Sequence, residues 1–151
     1  MIYFDKQHNA YGDEASTYGK EIIYICSDEL WQDFNDNDGK YIWKNDEIVP
    51  NPEWEEIQRQ REAERVANLT CTKRVFVIML QQLGYNYFSQ IKPLIEANEQ
   101  AAMEWELCVE LQRKNPLLDI VASEIGITSE QLDKLFKAAN GEITQEEFLN
   151  D

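Results

Sequence analysis

Apolar and polar positions alternate differently in the two halves of the chain. Over the first fifty residues the apolar stretches are short, aromatic and β-branched: Met1–Phe4 and Glu21–Ile25, parted by the polar, Gly-containing stretch Asp5–Lys20. Ser27 is placed to cap a short helix, Asp28–Phe34, with Asp28 and Glu29 at its positive end, and Asn35–Gly39 ends it. Lys40–Lys44 and Glu47–Val49 flank Asn45-Asp46 and read as a β-hairpin.

Asn51-Pro52-Glu53 has the signature of a helix start: a capping side chain, proline at the first helical position, then acids. The helix it opens, Glu53–Leu69, is polar on nearly every side. Trp54, Ile57 and Val66 are its anchors, and Glu55 with Arg59 and Arg61 with Glu64 can pair along it. Such a helix is expected to join two packed units.

From Thr72 onward the period is helical throughout. Thr72 caps Lys73–Leu83, in which Phe76, Leu80 and Leu83 share a face, and Gly84 stops it. A second helix is expected over Tyr85–Asn98, bent near Pro93. A third covers Glu99–Lys114, with Ala101, Trp105, Cys108 and Val109 on one stripe and Asn115-Pro116 ending it. Leu117–Ile125 and Ser129–Asn140 complete the set. Thr128 with Gln131, and Thr144 with Glu147, have capping-box spacing. The expected fold is therefore α+β: a small β-rich module at residues 1–50, a charged connector helix at 51–69, and an α-helical bundle at 70–151.

Charge narrows the class of partner. In 151 residues, 14 Lys and Arg face 29 Asp and Glu, leaving a formal net charge of −15. Such a body repels phosphate backbones and anionic membranes at long range and favours basic partners, so direct nucleic-acid and membrane binding are not expected. Acid is not confined to one half, since residues 1–69 carry 16 of the acidic residues and 7 of the basic ones. Seventeen aromatics argue against a disordered acidic tail. No apolar run approaches bilayer length, and Asp5 interrupts the N-terminal apolar stretch too early for a secretory leader. Three widely spaced cysteines cannot form a closed disulfide framework. A cytoplasmic protein in a reducing compartment is the economical expectation.

Candidate chemistry is sparse. Asp33–Gly39 (DFNDNDG) resembles a calcium loop, but with Gly39 in the sixth position the first and twelfth positions fall on Phe34 and Asn45, where carboxylates are needed. Val121–Phe136 has Ala122, Gly126 and Leu132 at helix-turn-helix positions, yet its second helix offers Glu130, Gln131, Asp133, Lys134 and Lys137 and no arginine, which suits an ordinary helical corner better. His8 is the sole histidine, and neither a Cys-x-x-Cys pair nor a phosphate-binding glycine loop occurs. Cys71, with Lys73 and Arg74 nearby, has neighbours that can lower its pKa, but a small buried or half-exposed residue is the plainer expectation; Cys26 and Cys108 read as core. No catalytic, cofactor-binding or metal-binding residue is assigned, and no enzyme activity is expected. Tyr85, Tyr87 and Phe88 form an aromatic cluster after Gly84; core packing is the default expectation for it, and with Trp105 these are the candidate partner-binding residues.

These residues also carry a resemblance. MIYFDKQHNAYGDE, EIIYICSDELWQDF and GKYIWKNDEIVPNPEWEEI, followed by a charged helix, resemble the N-terminal pattern of bacteriophage tail fibre assembly proteins: Tyr3-Phe4, Ser27–Trp31, Gly39-Lys40, Pro50–Pro52 and Glu53–Val66 fall in that family's order over about seventy residues. TKRVFVIMLQQLG and AAMEWELCVELQRKNPLLDIVASEIGITSEQLDKLFKAA are similar to a segment of phage and prophage proteins encoded near tail fibre genes. The resemblance implies a non-enzymatic, chaperone-like helper that engages a fibre subunit in the host cytoplasm during folding or trimer assembly, and it supplies no catalytic residues. The alternative from charge alone is a phage-encoded acidic inhibitor that occupies the nucleic-acid groove of a host defence protein.

Overall fold

The structure is a computed structural model and describes residues 1–150. The fold is α+β, with three small antiparallel sheets and eight α-helices among those residues. The chain divides into two compact units, Met1–Arg61 and Glu62–Asp151, and the division falls inside one helix.

In the first unit, β1 (Ile2–Asp5) lies between β2 (Ala10–Tyr11) and β3 (Ile22–Cys26). Asp5 closes the β1–β2 turn, accepting from the Gln7 and Asn9 amides, the Asn9 side chain and the Tyr11 hydroxyl. α1 (Asp28–Asp36) is capped by the Ser27 hydroxyl, which accepts from the Leu30 amide. β4 (Tyr41–Lys44) and β5 (Glu47–Pro50) form the expected hairpin. Asn45 and Asp46 both have positive φ, the backbone that a tight two-residue turn demands and that Asn and Asp tolerate best. The unit's core is aromatic: Phe4, wholly buried, meets Trp31 and Trp43 edge-on at 5.1 and 5.0 Å and Tyr24 at 5.9 Å.

The polar helix forms as α2 (Trp54–Ala67). The ion pairs along it are Glu56–Arg59 and Glu62–Arg65, spaced i,i+3, rather than the pairs expected from sequence. Gly39, at φ +91°, turns the chain beneath this helix. A Cβ there would meet the Ile57 and Arg61 side chains at 3.6 Å.

The second unit corrects two sequence expectations. First, it is not helical throughout. β6 (Thr70–Thr72) pairs antiparallel with β7 (Glu110–Gln112), bringing Cys71 opposite Leu111. The helix expected over Glu99–Lys114 stops at Leu107, so Val109 is 81% exposed instead of lying on a buried stripe. Asn115 then caps the following helix, with Pro116 at its first position, so this pair starts a helix as well as ending a segment. Second, no continuous helix runs over Tyr85–Asn98. After α3 (Lys73–Gln82), a single π turn (Tyr87–Ile91) leads into a short α4 (Lys92–Glu96). Pro93 has no amide to return to Ser89, and the turn before it widens so that the Ile91 amide reaches back to the Asn86 carbonyl.

α5 (Glu99–Leu107), α6 (Pro116–Ile125), α7 (Ser129–Ala139) and α8 (Gln145–Leu149) complete this unit. Both capping boxes are present, at Thr128/Gln131 and Thr144/Glu147. Gly126 ends α6 at φ +86°, a left-handed conformation that glycine adopts without steric cost. Phe76, Leu80, Ile91, Leu111, Leu118, Leu132, Leu135 and Phe136 form the buried centre. The α6–α7 corner packs Leu118, Leu132, Leu135 and Phe136 into this centre. Three of the polar side chains on α7 are engaged within the fold: Gln131 in its capping box, Asp133 with Arg113, and Lys137 with Glu62.

Candidate partner-binding site

The helix starts and the π turn together place three of the four aromatic candidates side by side. The Asn86 side chain accepts from the Ser89 amide, while the Asn86 backbone N–H donates to the Gln90 side-chain carbonyl at 2.6 Å, fixing a tight turn at the base of the aromatic pair. Tyr87 and Phe88 leave this turn with rings 5.1 Å apart and nearly perpendicular. Tyr87 also stacks on Trp105 of α5 at 6.2 Å, and Trp105 reaches inward to Phe76 at 6.3 Å. The chain of rings therefore runs from the core to solvent, where Phe88 is 72% exposed. Tyr85 stands apart; its amide donates to the Leu80 carbonyl at the end of α3, and its ring packs against the core.

A shallow groove of about 370 Å³ opens beside these rings, walled by Tyr87, Ile95 and Trp105 and edged by Lys73, Lys92, Glu96 and Glu106. The Lys73 ammonium donates to the Trp105 carbonyl at 2.6 Å and stands 5.6 Å from the indole centroid. It thereby meets the negative end of α5 and the face of the tryptophan in its last turn at once. Lys73 was not singled out from sequence, although one signal was available. A lysine at the first position of a helix opposes that helix's own dipole and invites the question of what compensates it. The groove offers apolar ring surface between charges of both signs, with Lys92 and Glu96 paired at 3.7 Å on its edge.

The remaining chemical candidates are tied into structure. Asp33 accepts from the Lys40 ammonium and the Tyr41 hydroxyl, both at 2.6 Å, and from the Asn37 side chain at 2.7 Å. These bonds, Lys40 first, hold its carboxyl below the usual range. Among the described residues no cluster of three His, Cys, Asp or Glu side chains is placed to hold a metal ion. His8 stacks on Trp43 and contacts Asp46. Cys71 is the small buried residue expected as the plainer reading: it lies inside the sheet and faces the core, and burial pushes its thiol up to about 12 rather than down. Cys26 is buried as expected, whereas Cys108 is only half-buried. No helix among the described residues is long and apolar enough to cross a membrane. Comparison of the chain with protein-family models, curated proteins and solved structures finds no match.

Proposed function

We propose that this chain is a non-enzymatic binding protein of the tail fibre assembly kind, holding a fibre subunit through the Tyr87–Phe88–Trp105 site until assembly contacts replace it. The observation that carries the binding part is Phe88. A phenylalanine 72% exposed at the end of a ring stack rooted in the core is pre-organised surface, costly to leave wet and inexpensive to cover. The fibre subunit as partner rests on the resemblance of Tyr3-Phe4, Ser27–Trp31 and Pro50–Pro52 and of the helical half to tail-region phage proteins. The site of action is then the host cytoplasm, where a fibre is made. No cofactor enters this reading.

The acidic-inhibitor alternative uses the same net charge of −15. It is less favoured because many carboxylates are committed to internal partners: Asp5, Asp33, Glu62, Asp119 and Asp133 all hold hydrogen bonds or ion pairs. Co-expression of a neighbouring fibre gene with and without this chain is the test. An increased yield of soluble fibre trimer is expected, and an unchanged yield overturns the chaperone role. Salt-sensitive competition with nucleic acid on a host nuclease would instead favour the inhibitor.

A further inference from the structure

α5 is a partition. Ala102, Trp105 and Glu106 face the aromatic site on one flank, whereas Gln100, Glu104 and Cys108, one helical turn apart, look into a second groove of about 680 Å³. The opposite wall of that groove is β7 together with the first turns of α6.

The hydrogen-bond alternation of β7 determines which way its edge faces. The Arg113 amide donates to the Leu69 carbonyl at 2.9 Å, which puts Leu111 in the hydrogen-bonded position opposite Cys71 and turns the Glu110 and Gln112 amides away from β6. Glu110 and Gln112 are also the two β7 residues that line the groove. Among the described residues this sheet has two strands, β6 and β7. The Gln112 carbonyl is taken by the Asn115 amide, leaving the Glu110 N–H and C=O and the Gln112 N–H directed onto the open edge. Open edges are commonly protected by lysine or proline. Here the carboxylates Glu104 and Glu110 line the groove, and neither forms an ion pair among the described residues. The one cation in the lining, Lys114, donates to the Asn68 side chain at 2.9 Å. Ile120 of α6, in the groove lining, is 47% exposed.

We propose that this groove binds an extended, lysine- or arginine-bearing segment of a partner protein, which adds to β7 as a third strand. The open amides supply main-chain pairing, Glu104 and Glu110 select basic side chains, and the exposed Ile120 in the lining gives an apolar side chain a surface to cover. The proposal does not depend on the fibre reading, because the aromatic site lies on the other flank of α5.

The test titrates a fluorescein-labelled, acetylated KVTVKVTK peptide into the full chain by anisotropy. Saturable binding is expected, weakened about tenfold both for the charge-reversed EVTVEVTE peptide and for the Glu104→Lys/Glu110→Lys double variant. Bound peptide should slow alkylation of Cys108, and peptides N-methylated at alternate residues, in one phase or the other, should lose binding without any change to the protein. No binding of the basic peptide, equal binding of the acidic one, or indifference to N-methylation in both phases overturns the proposal. So does a concentration-dependent dimer that shields Cys108 without peptide, which would assign the groove to a second copy. Phe88→Ser should leave peptide binding unchanged, so failure here and failure of the fibre reading are separately visible.

Discussion

The imidazole of His8 lies flat on the indole of Trp43, with ring centroids 3.9 Å apart and planes 4° from parallel. Its Nε2 is 3.3 Å from Asp46, in the β4–β5 turn. One side chain thus fastens the β1–β2 turn to the hairpin. His8 sits at φ +62°, so Asn, which tolerates that backbone, removes the ring without adding strain. His8→Asn should destabilise the first unit by about 1 kcal/mol, read from the denaturant midpoint by Trp fluorescence. No shift in that midpoint would show that the stack contributes nothing.

Asp5 makes acid stability measurable at one residue. Its bonds from the Asn9 side chain, the Tyr11 hydroxyl and the Asn9 and Gln7 amides outweigh burial and hold its carboxyl down at about 2. The folded value lies below the ordinary value of about 3.9. Its contribution is therefore fully present above the ordinary value and is lost as pH falls through the folded value. Asp5→Asn should be less stable than wild type at neutral pH, and the gap should narrow as pH falls from about 4 towards 2. A gap independent of pH over that window contradicts the assignment.

Arg113 is the buried cation of the second unit, only 7% exposed. Its guanidinium donates to Asp133 at 2.7 Å, to Asp119 at 3.2 Å and to both the hydroxyl and carbonyl of Ser129, joining β7's end to α6 and α7. Arg113→Met should cost roughly 2–3 kcal/mol in chemical denaturation. Arg113→Lys should recover only part of that, because a single ammonium cannot reproduce the fork.

Thiol chemistry should be ordered by environment. Under limiting maleimide at neutral pH, Cys108 should label first, with Cys26 and Cys71 following only on unfolding. Burial raises both of the latter thiols, Cys71 to about 12. Peptide mass mapping decides the matter, and early modification of Cys71 would contradict its place in the sheet.

Phe88 and Trp105 should separate binding from stability. Phe88→Ser removes a mostly exposed ring and should move stability by no more than about 0.5 kcal/mol. Trp105→Ala opens the packing against Phe76 and should cost about 3 kcal/mol. If the aromatic site holds the partner, Phe88→Ser abolishes the gain in soluble fibre while the chain stays folded. Retained gain assigns the binding elsewhere.

The features legible in the sequence were those set by neighbours. Ser27, Thr72, Thr128 and Thr144 cap because each is followed at once by the helix whose amide it accepts. Asn45-Asp46 turns because two adjacent residues tolerate positive φ. The β6–β7 pair was missed because three-residue strands carry almost no period and Cys71 finds Leu111 only across the intervening helices. One local trace existed: Leu111 and Arg113 are buried while Glu110 is exposed, an alternation of two hidden inside a stretch read with a period near four. The aromatic site was half legible. Tyr87 and Phe88 are neighbours in sequence, but their meeting with Trp105 and Lys73 depends on the π turn before Pro93 and on where α5 ends.

The β6–β7 pair has a consequence for timing. Everything from α3 to α5 lies inside the loop it closes, and non-local strand pairing must absorb the entropy of that closure before any contact rewards it. The second groove has β7 as a wall, so it does not exist in a nascent chain whose synthesis has not passed Gln112. Helices can form early as the chain emerges, but the groove is completed only when this clasp shuts.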